Sequence, residues 1–76
     1  MTNADEAGAL VVDARGMRCP WPALRLARAM RDAADVLLIA DDPQAAREVA
    51  ALAGEHGWRV EAEPAAGDGQ RWHVRR

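Results

Sequence analysis

The longest run of large apolar side chains in the chain is Val36-Leu37-Leu38-Ile39-Ala40. A segment that is apolar without alternation has no polar face to turn to water, so Asp35 to Ala40 reads as a central strand buried among other elements. It is far too short to span a bilayer. Whatever covers this strand must be economical. Seventy-six residues make one small domain, near the size at which a single core is only just sufficient, and 18 of its hydrophobic residues are alanine. Stability must lean on Leu10, Val12, Leu24, Leu37, Ile39, Val49, Leu52, Val60, Val74 and the three tryptophans.

The rest of the chain arranges itself around that strand. Leu10 to Asp13 is a first strand, and Pro20 to about Ala33 a first helix with Ala23, Leu26, Ala27, Met30 and Ala34 inward and Arg25, Arg28 and Asp32 outward. After the central strand, Asp42 caps a second helix with Pro43 at its first position, carrying Ala46, Val49, Ala50 and Ala53 inward until Gly54 or Gly57 ends it. Trp58 to Glu63 alternates as a half-exposed strand, Pro64 to Gly69 is turn chemistry, and Gln70 to Arg75 alternates again, so the two make a hairpin. A right-handed crossover sets the first two strands parallel. The expected fold is an α/β (α+β) two-layer sandwich in the order β-α-β-α-β-β, with a mixed four-stranded sheet and two helices on one face. Residues 1–8 show no periodicity and read as a flexible tail, with residues 9–76 as the single domain.

Chemistry concentrates at Arg18-Cys19-Pro20-Trp21-Pro22, which sets the only cysteine directly before two prolines that open a helix-forming run. Prolines suit the first helical turn, where backbone donors lack intrahelical partners. Pro20 then reads as N1, Pro22 as N3 and Cys19 as the N-cap. Its sulfur sits beside the N–H groups of Trp21 and Ala23 at the positive end of the helix dipole. With Arg15 and Arg18 just upstream, this placement predicts a thiol pKa pulled from about 8.5 into the range of roughly 3.5 to 7.5. The thiolate is the nucleophile, and at such a pKa it needs no general base. The competing reading is a small buried hydrophobe, although a polar loop-to-helix junction is an unusual place for one. Trp21, between two prolines, is either a partly exposed docking anchor beside the sulfur or a ring packed over the sheet edge.

The stretch Asp13-Ala14-Arg15-Gly16-Met17-Arg18-Cys19-Pro20-Trp21-Pro22 resembles the signature of the TusA/SirA family of small sulfur-carrier proteins: a short strand, a glycine-containing loop and Cys-Pro-x-Pro. Val36-Leu37-Leu38-Ile39-Ala40-Asp41-Asp42-Pro43, followed by Ala46-Arg47-Glu48-Val49, resembles the family's second strand and second helix start, and the closing Trp72-His73-Val74-Arg75-Arg76 its last strand. The resemblance implies the same two-layer fold, with Cys19 accepting sulfur as a persulfide from a cysteine desulfurase or rhodanese-like donor and relaying it to an acceptor protein. Arg18, Pro20, Pro22 and Arg15 then support the thiolate, and Trp21 and Arg25 serve docking. Candidate routes for the sulfur are tRNA thiolation, molybdenum cofactor assembly and sulfur oxidation. The pattern departs from the family at Glu48, where aspartate is usual, at Ala50, where proline is common, and at Ala53, where some members place a second cysteine. The alternatives are a non-catalytic interaction or regulatory module presenting the Cys-Pro-Trp-Pro turn, and a carrier in selenium metabolism.

The formal charge of −2 gives no global attraction to nucleic acid, although the half containing the motif is the more basic. Arg15, Arg18, Arg25 and Arg28 form either a positive rim or an ordinary solvated helix face. One cysteine allows no internal disulfide, and no charged-apolar-small leader pattern opens the chain, so the expected location is cytoplasmic. The chain is expected to act as a monomer without membrane attachment or cofactor. Asp41 and Asp42 read as acids at a helix start, explained by the dipole, and His56 and His73 have no ligand spacing with Cys19, so no metal site is expected.

Overall fold

The structure, a computed structural model, describes residues 4–5, 9–64 and 69–76. In chain order the elements are β1 (Ala4–Asp5), β2 (Ala9–Asp13), α1 (Trp21–Asp32), β3 (Asp35–Ala40), α2 (Ala45–His56), β4 (Arg59–Glu63) and β5 (Gln70–Arg75). The four long strands form the mixed sheet expected from the sequence, and the two-residue β1 extends it at one edge, pairing antiparallel with Ala9 and Leu10. The strand order is β1-β2-β3-β5-β4. The tail assigned to residues 1–8 therefore falls partly on this short strand and otherwise outside the described residues. Of the hairpin turn, residues 65–68 lie outside them too.

The apolar run takes the centre of the sheet because it is apolar on both faces. It pairs parallel with β2, Val12 opposite Leu38, and antiparallel with β5, Leu38 opposite Trp72 and Val36 opposite Val74. Alternation then places Val12, Val36, Leu38, Ala40, Trp72 and Val74 on one face. There they join Leu26 and Met30 of α1 and Ala45 and Val49 of α2 in a single core, so both helices lie on that face. Neither helix covers the opposite face, which carries polar cross-strand pairs. His73, opposite Leu37, meets both Asp35 and Glu63, the latter at 3.6 Å, and Arg75 lies 3.8 Å from Asp35. Leu37 is buried even on this side.

Helix ends follow local chemistry. Gly57 stops α2 in the left-handed conformation (φ 73°), which glycine adopts at no steric cost, and its N–H and that of Trp58 both return to the Ala53 carbonyl. That bond spends the Trp58 N–H on the helix, so β4 begins one residue later than its alternation predicts. At the end of α1, the Arg76 guanidinium donates to the Met30 carbonyl at 2.7 Å, pairing a cation with the negative end of the helix.

Three expectations about the core need correction. Leu24, counted as a core residue, is 50% exposed, because Pro22, Ala23, Leu26 and Met30 define the buried stripe of α1 and Leu24 falls off it. Ala34 lies beyond the helix and is exposed. In α2 the buried residues are Ala45, Val49 and Ala53, while Ala46 and Ala50 are exposed; the inward stripe keeps its spacing of four through Val49.

Two outcomes follow. Leu26→Ala, at a position with no exposed surface, is expected to lower stability by roughly 2–5 kcal/mol, whereas Leu24→Ala should stay within about 0.5 kcal/mol of the parent; urea unfolding of the two variants checks this. On the opposite side of the sheet, Arg15 grips Asp13 through two guanidinium hydrogen bonds (2.9 and 2.8 Å) and one from its own N–H (3.1 Å), and holds the Asp13 carboxyl at about 2, down from 3.8. A depressed carboxyl contributes stability that is full above the unfolded value of about 4 and is lost as pH falls toward 2. Both side chains are about half exposed, so the contribution at neutral pH is screened to below about 1 kcal/mol. Titration by NMR should show Asp13 returning to the ordinary aspartate range in Arg15→Ala.

Candidate functional site

Loops that follow two neighbouring parallel strands meet at the carboxyl end of the sheet, where α/β folds commonly place their sites. One such loop joins β2 to α1 and carries Cys19; the other joins β3 to α2 and carries Asp41 and Asp42. The first loop leaves the sheet through Ala14, which is fully buried and donates its N–H to the Ile39 carbonyl at 2.7 Å. It then turns at Gly16 (φ 83°), with Met17 N–H returning to the Ala14 carbonyl.

Aspartates from the second loop hold the first in place. Both carboxylate oxygens of Asp41 accept from Gly16 N–H, at 3.0 and 3.2 Å. Asp42 Oδ2 accepts a short hydrogen bond (2.5 Å) from Cys19 N–H, and its Oδ1 accepts from Gln44 N–H at 2.9 Å. The sequence alone explains these acids by the helix dipole. Their main work is instead to fix the backbone of the cysteine loop. The same bonds hold the Asp42 carboxyl below the usual range, through the N–H groups of Gln44 and then Cys19 and the nearby charge of Arg18. Asp42 is not the α2 cap residue either: its carbonyl accepts from Ala45 N–H at 2.9 Å in a turn through Pro43, and the helix is capped by Gln44.

The start of α1 is also one residue later than predicted. Arg18 carbonyl accepts from Trp21 N–H at 2.8 Å, closing a four-residue turn over Cys19 and Pro20, whose connecting peptide bond is cis. Pro20 is thereby the N-cap, Trp21 is N1 and Pro22 is N2, and Cys19 precedes the cap. Trp21 N–H is spent on the turn, and Pro20 and Pro22 have no N–H to give; of the two amides predicted to flank the sulfur, that of Trp21 is engaged by the Arg18 carbonyl.

The half-buried Cys19 thiol is pushed above its ordinary range, opposite to the prediction. Burial is the first cause. The second is the Glu48 side chain, in the first turn of α2, and the nearby negative charge of Asp42 acts in the same direction. Of the arginines expected to support a thiolate, Arg15 grips Asp13, and Arg18 lies near enough to Asp42 for its charge to help lower that carboxyl. Glu48 was visible in the sequence only as a departure from the family pattern, with nothing to place it on the sulfur.

Of the other anticipated residues, Pro22 is fully buried and serves packing, while Pro20 is exposed. Trp21 is 59% exposed, which decides its two readings in favour of the free ring. Trp21, Leu24, Arg25 and Arg28 recur at helical spacing and are all exposed, giving α1 an apolar and basic outer stripe that starts two residues from Cys19. An open cleft of about 480 Å³ runs between the two loops, lined by Gly16, Met17, Arg18, Asp41, Asp42, Pro43 and Gln44. Among the described residues no group of three or more His, Cys, Asp or Glu side chains is arranged to hold a metal ion, and no helix is long and apolar enough to cross a membrane. His73 is instead tied to Asp35 and Glu63, and His56 stacks on Trp58 with ring centroids 4.5 Å apart.

Comparison with known proteins agrees with this architecture. The crystal structure of a SirA-like protein from Desulfitobacterium hafniense superposes with a TM-score of 0.75, covering 86% of this chain and 93% of that one, at 20% sequence identity. At that identity the likeness establishes the fold. The family model for "Sulfurtransferase TusA" matches residues 10–76, from β2 through the cysteine loop to the last strand. The chain therefore belongs to the sulfurtransferase TusA family, small sulfur carriers that work with sulfur donors and acceptors.

Proposed function

We propose that Cys19 is the carrier atom's anchor: its sulfur accepts one further sulfur from a donor protein, holds it as a persulfide, and yields it to an acceptor protein. The observation that carries this reading is the site itself. In a chain of this family, the single cysteine stands half-buried on a loop fixed by Asp41 and Asp42, beside an exposed Trp21. In loading, Cys19 Sγ attacks the terminal sulfur of a donor persulfide, forming one S–S bond while the donor's S–S bond breaks. The electron pair and, in the end, the proton stay with the donor cysteine. One sulfur changes carrier with no net oxidation. Unloading is the same exchange with the acceptor's thiolate. The donor is a persulfide-forming enzyme, a cysteine desulfurase or rhodanese-like protein, and a reducing compartment such as the cytoplasm suits a carrier whose one thiol must stay free.

Docking falls to the outer stripe of α1. Exposed tryptophan and arginine are among the residue types most enriched at binding hot spots, and the stripe of Trp21, Leu24 and Arg25 starts two residues after Cys19, so a partner docked on it would bring its own cysteine toward that loop. The same exposure also favours a second reading, an interaction module in which this stripe is the whole function.

Intact mass without reductant separates the two. After incubation with a cysteine desulfurase and cysteine, the wild type should gain one sulfur atom that reductant removes, and Cys19→Ser should gain none; a gain in Cys19→Ser would overturn the carrier reading. Trp21→Ala should leave the alkylation rate of Cys19 by iodoacetamide unchanged while raising the donor concentration needed for half-maximal loading by roughly tenfold or more, as hot-spot truncation does. An interaction module would instead keep partner binding in Cys19→Ser and lose it in Trp21→Ala.

A further inference from the structure

We propose that a groove at the far end of α1 from Cys19 binds a small aromatic carboxylate, as a second site independent of sulfur transfer. The groove has a volume of about 350 Å³ and is lined by Ala27, Met30, Arg31, His56, Trp58 and Arg76. Its lining comes from the last turns of α1, the last residue of α2, and the residues that precede β4 and follow β5. The twelve residues of α1 run from the cysteine loop to this end, about 18 Å along the axis. A volume near the lower bound for ligand sites, roughly 300 Å³, suits a molecule of one or two rings.

The wall of the groove is apolar and flat. Met30 is buried, and Ala27 and Trp58 are half-buried. His56 lies on Trp58 with the two ring planes only 12° apart, so both rings stand as one stacked pair. A methionine beside stacked rings adapts its shape to a flat apolar group. The rim is cationic: Arg31 and Arg76 are exposed, neither has an ion pair among the described residues, and no Asp or Glu lines the groove. Helix C-termini bring negative partial charge to this end, and Arg76 offsets it. One of its guanidinium nitrogens donates to the Met30 carbonyl at 2.7 Å and to the Arg31 carbonyl at 3.4 Å, while its backbone N–H donates to the Ala34 carbonyl at 3.1 Å. These bonds fix the cation in place and use one of its three side-chain nitrogens, so Nε and Nη1 keep donors for a ligand.

The two halves of the groove ask for two halves of a ligand. A ring seated on the wall takes apolar surface out of water, and a carboxylate at the rim presents two oxygens in the plane that a guanidinium fork matches. A small anion without a ring would leave the wall in water. A ring with a positive charge would meet two arginines.

The test is an NMR titration of the isotope-labelled full chain with three probes: naphthoate, which has ring and negative charge; naphthylmethylammonium, which has the ring and the opposite charge; and acetate, which has the charge and no ring. Naphthoate should move the Trp58 indole N–H and the Met30 and Arg31 amide signals together and saturate, with a dissociation constant on the order of a millimolar or tighter, while the Gly16 and Arg18 amides of the cysteine loop stay in place. Arg31→Gln, a change at an exposed position, should weaken naphthoate binding by roughly tenfold, the loss expected for one charge-assisted hydrogen bond. Arg47→Gln, on the exposed side of α2 and outside the groove, should leave it unchanged. Cys19→Ser should bind naphthoate as the wild type does, so the outcome is separate from whether the chain carries sulfur. Shifts that do not saturate, equal binding of naphthylmethylammonium or acetate, or an undiminished affinity in Arg31→Gln would overturn the proposal. Groove signals that move only when a sulfur-donor protein is added would overturn it too, and would assign the groove to a protein partner.

Discussion

Two adjacent aspartates at the end of the central strand hold the site together. Asp41 and Asp42 leave β3 where its hydrogen bonding to β2 ends, and each takes a backbone N–H from the loop that β2 sends out toward α1. A loop with a glycine turn and a proline after its cysteine has few amides to bond with and few ways to bond them. Charged acceptors satisfy those amides more strongly than carbonyls do. They also make the position of Cys19 depend on the start of α2, whose residue Glu48 then bears on the thiol's ionisation. Everything distinctive about the site descends from this cross-loop clamp.

The core that carries the clamp is thin, and its alanines explain how it works. Ala14, Ala40 and Ala45 are buried almost completely at the same end of the sheet. Small side chains there let the two loops and the α2 start approach the sheet closely, while the large residues Leu26, Met30, Val36, Leu38, Val49, Trp72 and Val74 fill the space beneath the helices. An alanine-rich composition therefore does not mean a weak core everywhere: it concentrates volume under the helices and leaves room at the site end. The open face of the sheet manages without a covering layer because His73, Asp35, Glu63 and Arg75 pair across strands over the buried Leu37.

The strands were legible in the sequence because their signals are contrasts: the unbroken apolar run gave Asp35–Ala40, and strict alternation gave Gln70–Arg75, both matched by the structure. Helix faces were legible only where contrast existed. In α1, Leu26 and Met30 stand four apart among arginines and point inward as read. In α2, alanines at 45, 46, 50, 51 and 53 leave Val49 as the main phase marker, so the predicted stripe slipped to Ala46 and Ala50. Leu24 misled for the opposite reason, being large and apolar but off the stripe. At the site, the cysteine and its prolines were readable because they are consecutive. Their acidic partners lie more than twenty residues away, and no local pattern marks a carboxylate that will bond an amide across two loops.

The thiol shows why a local rule can reverse in a folded site. A cysteine beside a helix N-terminus is stabilised as an anion only if amides actually point at it. Here prolines remove two of those amides and the Arg18 carbonyl takes a third. Burial and the long-range contribution both act in the opposite direction, because the loop is held by the Asp42 carboxylate and Glu48 lies in the same segment. Orienting the nucleophile and activating it are thus competing demands on the same few residues. A site that orients by carboxylates disfavours the thiolate of the cysteine it holds; a site that activated by arginines would favour the thiolate but would lack acceptors for the amides of its own loop.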